Sequence, residues 1–96
     1  MSKLNQAALI SLAAQSGWAN DNDIKTAAAI AMAESGGDTQ SHNTQGLDDS
    51  YGLMQINMRG ALGPDRRKRY GINKDSDLFD PSLNMRTAYK LSLIHI

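Results

Sequence analysis

The sequence predicts a small all-α domain, and three observations carry that prediction. Over the first third of the chain, Ala, Leu and Ile recur at the spacing of one helical stripe, and no stretch shows the alternation of a strand. Helix-stopping residues punctuate these stretches at Gly17, Gly36-Gly37, Gly60 and Asp80-Pro81. The length of 96 residues suits one domain and leaves no room for two that fold independently. There is no internal repeat and no low-complexity tract.

The first helix is expected from Leu4 to Gln15, with Leu4, Ala8, Leu9, Leu12 and Ala13 on one stripe and Gly17 as its stop. Trp18, the only Trp, reads as a core or cap residue over a small hydrophobic centre, with sugar stacking as the alternative. Asp21, Asn22 and Asp23 offer caps for a second helix running from about Asp23 through Ile24, Ala27, Ile30 and Ala31 to Glu34. Gly36 and Gly37 end it, and residues 38–50 read as an exposed polar loop. A short third helix is expected from Ser50 or Tyr51, carrying Leu53, Met54, Ile56 and Met58, closed by Gly60, Gly63 and Pro64. The last helix follows Asp80-Pro81, with Pro at a favourable first position and Leu83, Met85, Ala88, Tyr89 and Leu91 available for packing.

Composition excludes several classes. A chain this short buries only ~60% of its unfolded surface, so its core is thin. With no cysteine there is no disulfide framework and no thiolate zinc site. Ten basic and ten acidic side chains cancel, which argues against an electrostatic nucleic-acid binder. No stretch approaches the ~20 apolar residues of a membrane span. The first residues lack a basic start, an apolar run and a cleavage site, so no secretory signal is visible. The expectation is a soluble intracellular product, or a piece of something larger. The ending after Leu91, Ser-Leu-Ile-His-Ile, resembles translated adapter sequence, so residues 91–96 are expected to be a non-native tail. His95 lies in that tail and is given no function.

Nine of the ten acidic residues are Asp, and Glu34 is the only Glu. On the second helix it shares the face of Ala27, Ile30 and Ala31, in the last turn, where the macrodipole is negative. Burial and dipole together favour the neutral carboxyl, the form a general acid needs to protonate a glycosidic oxygen. The plainer reading is a helix-end Glu that swings into solvent or bonds to loop amides. A second constellation is the run Ser50-Tyr51-Gly52-Leu53-Met54-Gln55-Ile56-Asn57. There Gly52 permits close approach to the backbone, Gln55 offers an amide to a sugar hydroxyl or acetamido group, and Tyr51 offers stacking or a hydrogen bond. The plainer reading is a short amphipathic helix.

In order and at this spacing, the Glu34-Ser35 helix end and the Gly52-Leu53-Met54-Gln55-Ile56 run resemble the soluble lytic transglycosylase (SLT) family of the lysozyme-like superfamily. Asp80-Pro81 with Asn84 and Ala88 is similar to the family's later helix, and the resemblance spans about residues 24–91. It implies a small lysozyme-like helical domain, incomplete at its C-terminus, over residues 1–90. The family's Ala-Tyr-Asn segment has no counterpart, since Ala88-Tyr89-Lys90 carries Lys in the third place.

The resemblance also implies a function. Family members cleave the β-1,4 bond between N-acetylmuramic acid and N-acetylglucosamine in peptidoglycan, closing a 1,6-anhydro ring without adding water. Glu34 would be the acid and base, Ser35, Tyr51, Gly52, Met54 and Gln55 would contact the sugar or line the cleft, and no metal or organic cofactor is implied. The implied partner is the peptidoglycan glycan strand, with no nucleic acid, no membrane span, and a larger phage or secretion assembly as a setting. Action at the bacterial cell wall or periplasm follows, reached from a virion or by release from the cytoplasm at lysis.

Two alternatives stay open: a hydrolytic muramidase in which Asp48 or Asp49 positions water, and a non-catalytic wall-binding or phage structural module. Asp48 and Asp49 otherwise read as solvated loop or cap residues, and His42 as a solitary solvated one. The run Arg66-Arg67-Lys68-Arg69 reads as a solvated helix face, with attraction to an anionic cell wall as the alternative.

Overall fold

A computed structural model describes residues 3–95 of the chain, and its fold is mostly helical, as expected. Helix α1 spans Gln6–Gln15 and α2 spans Asp21–Ser35. Asn5 caps α1 by accepting from the Ala8 N–H at 2.9 Å, and Asn20 caps α2 by accepting from the Asp23 N–H at 2.9 Å. The α2 cap is thus one residue before the expected trio, and Asp21 and Asp23 lie in the first turn, where their charge complements the dipole.

Small residues decide how α1 and α2 meet. Leu9 and Ala13 from α1 and Ala27, Ala28 and Ala31 from α2 are fully buried in one cluster with Leu53 and Met85. Alanines on the facing stripes let the two backbones approach closely. Trp18 covers this cluster from the side and meets Tyr89 edge to face at 5.3 Å, consistent with its reading as a core or cap residue.

The expected third helix over residues 50–58 does not form. Three two-residue strands take its place and part of the expected loop: β1 (His42–Asn43), β2 (Ser50–Tyr51) and β3 (Ile56–Asn57), antiparallel in the order β1-β2-β3. Ser50 pairs with Asn57 and Tyr51 with Ile56 across a four-residue turn, Gly52 to Gln55. The apolar residues predicted for one helical stripe are divided instead: Leu53 enters the first core cluster, and Ile56 and Met58 enter a second with Ile72 and Leu78. Long-range hydrogen bonds to the turn override the local helical pattern.

Helix α3 (Leu62–Tyr70) starts where the sequence suggested a stop, for Gly63 and Pro64 lie in its first turn. A proline there costs nothing, since first-turn N–H groups have no intrahelical acceptor. A 3₁₀ turn over Asp75–Phe79 leads into α4 (Pro81–Ser92), where Asp80 caps by accepting from the Ser82 N–H at 2.9 Å. A final 3₁₀ turn covers Leu93–His95, and Ile96 of the expected tail lies outside the described residues. No helix among the described residues is long and apolar enough to cross a membrane.

Candidate functional site

Glu34 stands at the C-terminal end of α2, and Gly36 ends the helix behind it in the left-handed conformation (φ 64°). Its side chain is exposed and makes no hydrogen bond or ion pair among the described residues. The expected burial against Ala27, Ile30 and Ala31 is therefore corrected: Ala27 and Ala31 are buried, but Ile30 is 42% exposed, and the helix turns its Glu34 edge outward. Ser35 is occupied locally. Its hydroxyl donates to the Ala31 carbonyl at 2.9 Å and accepts from the Gly37 N–H at 3.2 Å, so it shapes the helix end rather than reaching out from it.

The second motif is the turn of the hairpin. Gly52 has φ 77°, and a Cβ there would collide with the Asn84 amide and the Leu78 carbonyl. The close approach that the sequence suggested is made by the protein itself. Asn84, fully buried on α4, accepts from the Met54 N–H at 2.9 Å and donates to the Tyr51 carbonyl at 2.8 Å and the Leu78 carbonyl at 2.9 Å. Met54 is half-buried and packs against both core clusters. Gln55 has φ 50°, the only positive φ outside glycine among the described residues. Its amide NH₂ donates to the Gly52 carbonyl at 2.9 Å and the Ser41 carbonyl at 3.2 Å, so the amide is not wholly free for a ligand; its oxygen accepts no bond among the described residues.

Ser41 joins the two motifs. Its carbonyl also accepts from the Gly52 N–H at 2.7 Å, so the chain leaving the Glu34-Ser35 helix end is fastened directly to the turn. The first core cluster reinforces this, since Ala31 and Met32 of α2 belong to it together with Leu53 and Met54 of the turn. The helix end that carries Glu34 and Ser35 and the hairpin that carries Tyr51, Gly52, Met54 and Gln55 are therefore tied to each other.

The hairpin also assembles a group that the sequence concealed. His42 and Tyr51 are cross-strand partners, and their rings stack at 4.1 Å and 21°. Phe79, the only Phe, lies 5.6 Å from the Tyr51 ring and 6.4 Å from the His42 ring. His42 Nε2 donates to Asp49 Oδ1 at 2.7 Å, which corrects the reading of His42 as a solitary solvated residue. Asp49 is half-buried and its N–H donates to the Asn57 side chain at 3.2 Å, whereas Asp48 stays exposed beside Asn43. Burial pushes the Tyr51 phenol above its ordinary 10.0, and the Asp49 carboxylate pushes it the same way, because a phenolate there would face a like charge. Only the register of β1 on β2 reveals this group, and two-residue strands leave no periodic signal.

Elsewhere, the basic run is less uniformly solvated than expected. Arg66 donates to the Asn57 carbonyl at 2.7 Å, Arg67 pairs with Asp75 and Arg69 with Asp65, leaving Lys68 exposed. Cavities of about 370 Å³ and 290 Å³ open against α3. Neither is lined by Glu34, Tyr51 or Gln55. No group of three or more His, Cys, Asp or Glu side chains suited to a metal ion occurs among the described residues.

Compared with known proteins, residues 10–94 match a family model described as a lysozyme like domain. No curated protein and no solved structure matches the chain.

Proposed function

The chain belongs to the lysozyme-like domain family, and on that premise we propose that it is a peptidoglycan lytic transglycosylase with Glu34 as its acid and base. Membership itself supports a cell-wall-related role in cleaving or binding glycan. The observation that carries the finer reading is the Glu34 carboxyl, without a partner among the described residues, on a helix end fastened through Ser41 to the Gly52–Gln55 turn. A single Glu in an otherwise Asp-only acidic set also limits the choice of acid.

In this mechanism the protonated Glu34 carboxyl donates to the glycosidic oxygen between N-acetylmuramic acid and N-acetylglucosamine, and the C1–O bond breaks. The resulting Glu34 carboxylate takes the proton of the muramoyl 6-hydroxyl as that oxygen bonds to C1. A 1,6-anhydro ring closes, and no water is consumed. One protein carboxyl suffices because the substrate supplies the nucleophile, an exception to the usual pair of carboxylates. In this reading the reaction takes place at the cell wall, reached from a virion or by release at lysis.

The test is digestion of purified peptidoglycan by wild type and Glu34→Gln, with released muropeptides read by mass spectrometry. Anhydro-muramoyl ends from wild type and a loss of ~10²-fold or more in Glu34→Gln are expected. Reducing muramic acid ends would make the protein a hydrolase and turn attention to Asp49 and Asp48. No products from wild type would leave a non-catalytic wall-binding or phage structural module. Because Glu34 is exposed and has no partner among the described residues, its substitution by Gln should change stability by less than about 0.5 kcal/mol, so lost activity is not lost fold.

A further inference from the structure

From the stacked rings of His42 and Tyr51, flanked by Phe79, we infer a glycan-binding platform on the hairpin, with the His42 ring as the surface on which a pyranose ring of the strand lies. The ligand class rests on the glycan-cleaving reading above; the platform rests on its own geometry. Three aromatic rings lie within 4.1 to 6.4 Å of one another. Tyr51 and Phe79 are half-buried and support the group from below, while His42 is exposed.

Two features make this arrangement suited to a sugar rather than to an apolar partner. The His42 ring is held in orientation from two sides, by the Tyr51 face at 4.1 Å and by Asp49 Oδ1 at 2.7 Å. A ring fixed in this way offers a flat surface to the C–H face of a pyranose with little ordering cost on binding. Around it stand groups for sugar hydroxyls: the Asp49 carboxylate, at 33% side-chain exposure, and the Asn43 and Asp48 side chains. An apolar partner would leave these polar groups desolvated and unpaired. The platform also continues the candidate site, since His42 follows Ser41, whose carbonyl holds both Gly52 and Gln55.

The test measures binding of an N-acetylglucosamine hexasaccharide by calorimetry, in a Glu34→Gln background that prevents turnover. Adding His42→Ala should weaken binding roughly tenfold. Adding His42→Phe keeps a stacked ring while removing the Asp49 bond, and should hold affinity within about threefold of the parent. Thermal midpoints of the variants report any loss of fold. Unchanged affinity in His42→Ala, equal losses in His42→Ala and His42→Phe, or no binding by the parent would each overturn the platform. Muropeptide release by wild type is scored separately. If the platform behaves as inferred but no muropeptides appear, the glycan surface stands and the lyase reading falls. If muropeptides appear while His42→Ala binds normally, the lyase reading stands and the platform falls.

Discussion

The side-chain amide of Asn84 occupies the space that Gly52 leaves by having no side chain. From there it bonds to the backbone on both sides of that glycine, at the Tyr51 carbonyl and the Met54 N–H, and to the Leu78 carbonyl of the preceding 3₁₀ turn. A buried amide with both N–H bonds and its oxygen satisfied carries no desolvation deficit, and it ties three separate elements together. The hairpin bearing the second motif is therefore positioned by α4, although its two-residue strands are too short to hold themselves.

Gly52→Ala should accordingly be among the most damaging single-methyl changes in the chain. The new Cβ meets Asn84 and the Leu78 backbone, and the φ of 77° is unfavourable for any L-residue. A cost of about 2–4 kcal/mol is expected, which at ~4–8 °C per kcal/mol lowers the thermal midpoint by ~10 °C or more. A melt superimposable on wild type would show that the hairpin is not clamped as described.

Asn84→Ala removes the other half of the same contact. It leaves the Met54 N–H and the Tyr51 and Leu78 carbonyls without their partner and opens a cavity. About 3–5 kcal/mol is expected from unpaired buried groups and lost packing. Hydrogen exchange should show the Met54 amide losing protection before the amides of α1 and α2, because its acceptor is the Asn84 side chain itself.

Much of this fold is legible in the sequence, and the illegible part has a specific cause. Helices α1, α2 and α4 follow from apolar spacing, caps and breakers, because their information is local: Asn5 and Asn20 cap their own helices, and Gly36 ends its own. The segment from Ser50 to Met58 misleads because its apolar residues fit a helical stripe as well as a hairpin that divides them between two clusters. What selects the hairpin is Asn84, some thirty residues away, and no window around the turn contains it. The candidate site shows the same division. Glu34 stands out by composition and by its place at a helix end, whereas His42, Asp49 and Phe79 matter only through pairing and packing across elements.

Gln55 allows a prediction that reverses the usual ranking of two substitutions. Its left-handed backbone costs ~1 kcal/mol that glycine would not, while its amide makes two hydrogen bonds worth about 0.5–1.5 kcal/mol each. Gln55→Ala loses both bonds and keeps the strain, for a cost of about 2 kcal/mol. Gln55→Gly loses the bonds but relieves the strain, so it should be the more stable of the two by about 1 kcal/mol. Urea denaturation of the pair checks this ordering, and Gln55→Ala matching or exceeding Gln55→Gly would remove the strain from the account.

Tyr51 links the hairpin to pH. Its phenol is raised above 10.0 in the folded chain, first by burial and then by Asp49, so the folded state holds the proton more tightly than the unfolded state does. Protonated Tyr51 therefore contributes a stability that is fully present below about pH 10 and is lost as pH rises through the raised value. Tyr51→Phe has no proton to lose at this position and should lack that part of the alkaline decline. Urea midpoints of the two proteins, followed from neutral pH upward, should differ by a constant amount until about pH 10, above which wild type should fall relative to Tyr51→Phe as it loses its proton. A phenolate absorbance titration supplies the second readout. With three tyrosines in the chain, the step missing from Tyr51→Phe should have its midpoint above 10.0. A missing step at or below that value would mean that the folded chain does not raise the phenol, and wild type would then lose no ground to Tyr51→Phe above pH 10.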